Sequence, residues 1–172
     1  MRGRRNLLIL TLVLLSAPAT TTVPARAAGA TQCTFETDVV AAPGVSTSSS
    51  SGSVNSEKDG TFACDGPVNG KQPAGPGTSN FAGRYGTKDG DTCQGGGEGD
   101  GVFTLAIPTS DGVEHIKNTE TFAYGAFKAG SAFSGTFQGD RMSGTFEAQP
   151  IDGDCASKPV TKFRVKGKGT LS

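Results

Sequence analysis

Phe133-Ser-Gly135-Thr-Phe137-Gln-Gly139-Asp140-Arg-Met142-Ser-Gly144-Thr-Phe146 carries one pattern twice around a turn signal. Residues i, i+2 and i+4 of a strand share a face. Each half therefore sets a large apolar side chain, a bare glycine and a second large apolar side chain on one face, with hydroxyls on the other. Gly139-Asp140 suits a two-residue type II′ turn. The register such a turn sets places Phe137 against Met142, Gly135 against Gly144 and Phe133 against Phe146. Thr136 then meets Ser143, and Ser134 meets Thr145. A one-residue slip would turn every side chain over, so the pattern specifies the faces strongly. Phe81-Ala-Gly83-Arg-Tyr85 repeats the arrangement upstream. Glycine is kept inside a strand where a backbone approaches closely or the sheet bends. The prediction is a curled antiparallel sheet wedged by phenylalanine.

Outward from this hairpin the same alternation predicts eight strands, near 33–41, 59–65, 80–86, 101–107, 112–125, 131–138, 141–149 and 159–171. No helical period is sustained, and 26 glycines punctuate the chain. Residues 44–57 read as a Ser-rich loop, 66–79 as a Gly/Pro loop and 87–100 as a Gly/Asp loop. The fold class is all-β and antiparallel. A small up-and-down β-barrel stands ahead of a β-sandwich, because small barrels alternate large and small inward residues, although evenly spaced turns suit a sandwich too.

The first 30 residues have the anatomy of a secretory signal peptide. Arg2, Arg4 and Arg5 precede the apolar run Leu7–Leu15, and Ala25-Arg-Ala27 and Ala28-Gly-Ala30 offer cleavage after Ala27 or Ala30. The run is far short of the ~20 residues that span a bilayer. Cys33 lacks the small preceding residue of a lipobox, so no membrane anchor is expected. Residues 31–172 form a single secreted, extracellular domain in this reading. Four of the 16 basic residues leave with the leader, so the remaining twelve face 16 acidic ones. That balance argues against nucleic acid as a partner.

Cys33, Cys64, Cys93 and Cys155 make an even count in an exported chain, which points to two disulfides. Setting Phe35 opposite Phe62 brings Cys33 opposite Cys64 and leaves Cys93 for Cys155. There is no C-x-x-C pair, and the single histidine leaves zinc without a ligand set.

No catalytic, cofactor-binding or metal-ligating set is assigned. His115 alternates with Val113, Lys117 and Thr119, opposite Ile116, Phe122 and Tyr124, so it points to solvent. The acidic run Asp89–Asp100 puts Cys93 where an EF-hand loop needs a ligand. Gly95–Gly101 opens a strand where a phosphate loop would open a helix. Tyr85 and Tyr124 share faces with phenylalanine and fill core. Lys162, Arg164, Lys166 and Lys168 form one charged face of the last strand, which discourages edge pairing.

Gly90-Asp-Thr-Cys93, the Phe-Ser-Gly-Thr-Phe hairpin, and Gly153-Asp-Cys155 leading into Pro159-Val-Thr together resemble a group of uncharacterised small secreted all-β proteins of actinomycete type. The resemblance spans most of residues 80–171 and implies a secreted β-domain with no known active site. Lipocalin, dirigent and allene-oxide-cyclase barrels share the strand count without their signature residues being present here.

The expected function is that of an exported, monomeric, non-catalytic β-domain binding a protein or cell-surface component through loops 44–57 and 87–100. The alternatives are a barrel binding a small apolar ligand and a barrel enzyme that orients a reactive substrate. A lined cavity would favour these two, and a polar group converging in it with a perturbed pKa would separate them. Phe35, Phe62, Phe81, Tyr85, Phe122, Phe133, Phe137, Phe146 and Phe163 are expected to fill the interior and leave no enclosed site.

Overall fold

Nine antiparallel strands form one sheet in the computed structural model, which describes residues 30–128 and 131–172. Apart from Ala30, the leader lies outside the described residues. The strands are β1 (Thr31–Val45), β2 (Gly52–Ser56), β3 (Gly60–Asp65), β4 (Gly77–Tyr85), β5 (Gly97–Thr109), β6 (Gly112–Tyr124), β7 (Phe133–Gly139), β8 (Met142–Asp152) and β9 (Val160–Leu171). No helix occurs among the described residues. From β3 to β9 each strand pairs with the next, and β9 returns to β1 from Leu171↔Thr31 to Val160↔Val45. β2 and β3 occupy one place between β1 and β4, interrupted at 57–59. Hydrogen bonds thus run around a ring of eight strand positions, a barrel-like closure that leaves few unpaired edges.

All eight expected strands are present, and the ninth corrects the reading of 44–57 as a loop. Gly52-Ser-Val-Asn-Ser holds one apolar residue and is too short for its alternation to register. It becomes a strand because β1 and β4 both offer it backbone partners. Val54 packs against both core clusters.

The β7–β8 register also differs from expectation. Phe137 faces Gly144, Gly135 faces Phe146 and Phe133 faces Ala148. Gln138 pairs with Ser143, so the turn spans residues 139–142 instead of the two-residue Gly139-Asp140 turn. Asn118 on β6 decides this. Fully buried, it accepts the N–H groups of Arg141 and Met142 on Oδ1 at 2.9 and 2.8 Å. Asp140 in turn accepts the Thr119 N–H at 2.8 Å. The slide is two residues, so every side chain keeps its face.

This register pairs aromatic rings with glycines. The Phe146 ring covers Gly135, Phe122 covers Gly99 and Phe35 covers Gly167, so a Cβ at any of these glycines would collide with the ring. Replacing Gly135 by Val should therefore destabilise by about 2–3 kcal/mol, through overpacking against Phe146 and the Ala123 carbonyl. Thr136→Val, on the exposed face, should stay within about 0.5 kcal/mol. Denaturant midpoints of the two variants check this, and equal shifts would contradict the register.

Two buried clusters fill the ring. Phe62, Leu105, Ile107, Ile116, Met142 and Leu171 gather at the end where β1 starts, with Val68 from the 66–76 loop beneath them. Val45, Tyr85, Phe127, Phe133, Val160 and Phe163 gather at the other end. Cys33 lies opposite Cys64 and is bonded to it, and Cys93 is bonded to Cys155. Two such pairs suit an oxidising compartment. On the outer face Arg164 pairs with Asp38 at 3.0 Å and Lys166 with Glu36 at 3.3 Å, so carboxylates of β1 answer the basic stripe of β9.

Candidate functional site: a carboxyl group in an aromatic cavity

The inward positions of β6 alternate as Ile116, Asn118, Glu120, Phe122 and Tyr124. Two of these five are polar, and they sit consecutively on the inner face. Glu120 is flanked in the sheet by Gly101 of β5 and Gly139 of β7. The space over Gly101 is taken by the Phe81 ring and that over Gly139 by the Asn118 amide, so both glycines serve the groups beside Glu120.

Glu120 is 9% exposed, and its Oε2 accepts a 2.6 Å hydrogen bond from Asn118 Nδ2. The two turn N–H groups on Asn118 Oδ1 fix the orientation of that amide, so its Nδ2 must face the carboxyl. Among the described residues Asn118 is the one hydrogen-bond partner of Glu120, and Oε1 has none. Burial pushes the carboxyl pKa up to about 7, with the Asn118 bond pulling the other way.

Glu120 lines a cavity of about 100 Å³ between the two clusters. Eight phenylalanines and two tyrosines line it with Thr37, Val39, Ala41, Val45, Val54, Ala148 and Val165. No basic side chain is among them. The phenylalanine interior is as expected and little volume is left, although the rings do not close it entirely. Phe146 pairs with Gly135 where Phe133 was expected, while Phe81 faces Phe103 and Phe122 faces Phe137. The cavity is smaller than the ~300 Å³ of a drug-sized pocket.

The end of the cavity near Tyr85 and Tyr124 lies under a cover knitted from three segments. Cys93 N–H donates to Ser46 O at 2.9 Å, Phe127 N–H donates to Cys93 O at 2.7 Å, and Ser50 and Asp91 exchange backbone bonds. Asp91, 2% exposed, turns its side chain inward, where the Tyr124 hydroxyl donates to it at 2.5 Å and the Glu98 N–H at 3.1 Å. Burial raises the Asp91 pKa against these donors, and burial raises that of Tyr124 as well. The Tyr85 hydroxyl donates to the Pro43 carbonyl.

The other residues singled out in sequence are dispersed. His115 is exposed on the outer face. Within the Asp89–Asp100 run, Asp91 serves Tyr124, Glu98 pairs with Lys88 and Asp100 with Arg84. No group of three or more acidic, histidine or cysteine side chains is placed to hold a metal among the described residues. Tyr85 and Tyr124 do pack inward, yet as cavity walls. Glu120 and Asn118 escaped sequence reasoning, although their parity with Ile116, Phe122 and Tyr124 was the signal for both.

No protein-family model, curated protein or solved structure matches the chain. Any functional reading therefore rests on these residues.

Proposed function

We propose that the chain is a secreted β-domain that encloses a small, mainly apolar ligand inside its ring and anchors one hydrogen-bonding group of that ligand on Glu120. The observation that carries this reading is the half-used carboxyl group: one oxygen held by a locked amide, the other without a partner, in a wall that is aromatic and aliphatic apart from Thr37 and, among the described residues, has no second carboxyl group or base beside it, which favours an anchor over a catalytic pair. A buried carboxyl group costs stability unless its hydrogen-bonding capacity is used. Ligand pockets share this make-up, an apolar lining with a few fixed polar groups. The leader and the two cystines support export, and the unassigned partner is then a small molecule met outside the cell.

Pyrrole, a small ring with one N–H donor, is a suitable probe. Saturable shifts of the Ala41, Val54, Ala148 and Val165 methyl signals, with a rise in melting temperature of a few degrees, are expected. Absence of saturable shifts up to the solubility of pyrrole would overturn the reading. The knitted cover would then stand as the recognition surface for a protein or cell-surface component. Its backbone bonds and Cys93–Cys155 hold it as one platform, as binding loops on a rigid scaffold are held.

A further inference from the structure

Resting on the reading above, we propose that the ligand class is a small alkylammonium, with Glu120 as its counter-ion and the surrounding rings as a cation-binding box. Three observations converge on this. A carboxyl group stands in the cavity wall with one oxygen unpartnered. No basic side chain lines the cavity, so when Glu120 is ionised the positive charge that balances it comes with the ligand. Ten of the lining residues are aromatic, and aromatic faces carry the negative part of the ring quadrupole. A carboxylate ligand would be repelled by the Glu120 carboxylate, whereas an ammonium group is attracted by it and by any ring face it meets. The volume of about 100 Å³ admits a branched or cyclic amine of a few heavy atoms and excludes larger ones.

Proton bookkeeping is simple at this site. A neutral amine that enters while Glu120 is protonated takes the carboxyl proton onto nitrogen and leaves an ammonium–carboxylate pair. An amine that enters already protonated displaces that proton to solvent. The other ionisable groups facing the cavity are Tyr85 and Tyr124, both kept neutral by burial, with Asp91 behind the Tyr124 hydroxyl. Gly101 and Gly139, on the flanking strands, contribute none.

Pyrrolidine and pyrrole separate this inference from the reading it rests on, because the two rings match in size and both carry an N–H. Pyrrolidine, an ammonium at neutral pH, should bind at least about 10-fold more tightly than pyrrole at pH 7.5. Glu120→Gln should abolish that advantage. Calorimetry of the unmodified protein at pH 6 in two buffers of different ionisation enthalpy should show close to one proton released with pyrrolidine and none with pyrrole. Pyrrole binding with no preference for pyrrolidine, or a preference that survives Glu120→Gln, or no proton release, would overturn the ammonium assignment and leave the ligand-binding domain standing. Failure of both rings to bind would overturn both.

Discussion

At pH 8 the Glu120→Gln variant should be about 3 kcal/mol more stable than the unmodified protein, and at pH 4.5 the two should be nearly equal. The direction follows from the raised pKa of about 7. The unfolded chain gives up the Glu120 proton near 4.5, while the folded chain keeps it until about 7. Within that window the folded state binds more protons, so stability falls as pH rises. The loss is complete above the folded pKa, where an ionised carboxylate sits in an apolar wall with one amide partner. A separation of about 2.5 pKa units corresponds to roughly 3 kcal/mol. Asp91 also titrates above its ordinary range through burial and adds a loss of the same sign, but it is present in both proteins and cancels in the comparison. Denaturant melts across pH 4.5–8 measure the difference. Parallel curves would place Glu120 in contact with water.

Removal of the Cys93–Cys155 disulfide by paired alanine substitutions should cost about 4 kcal/mol on loop entropy alone, given a sequence separation of 62. The Cys33–Cys64 bridge spans 31 residues, and halving a loop reduces the entropic contribution by only about 0.6 kcal/mol. The two losses should nonetheless differ by more than that. Cys33 and Cys64 face each other within a paired stretch of β1 and β3 that holds its register without them. Cys93 and Cys155 join two loops, and the Cys93 backbone bonds to Ser46 and Phe127 depend on where that sulfur is anchored. Loss of the second bridge should also accelerate exchange of any probe in the cavity, since the cover lies at that end. Midpoints of the two double variants, with exchange rates of bound pyrrole, check both statements. A smaller loss for Cys93–Cys155 than for Cys33–Cys64 would contradict the role given to the cover.

Much of the fold was legible because alternation with a period of two fixes faces. Phe133, Gly135 and Phe137 had to point one way and Ser134 and Thr136 the other, and they do. The same logic set Cys33 opposite Cys64 and sent His115 to the outside. What alternation leaves open is a slide by two residues, which preserves every face. The β7–β8 register was settled by Asn118, more than 20 positions upstream, whose side chain takes the turn N–H groups. β2 was hidden for a related reason: its stability comes from partners on both sides, not from its own five residues. Glu120 was on the inner face by parity from the start. A carboxylate at that position breaks the apolar pattern by which alternation marks a core face, so its role shows only once Asn118 and the cavity lining are placed beside it.

The most direct measurement is a pH titration of the Glu120 side-chain carboxyl carbon by NMR in the unmodified protein, alone and saturated with pyrrolidine. A midpoint near 7 alone, moving well below 6 with pyrrolidine bound, is the result expected for an acid facing an aromatic cavity and waiting for a cation. A midpoint near 4.5, unchanged by the amine, would contradict both the buried acid and the site built on it.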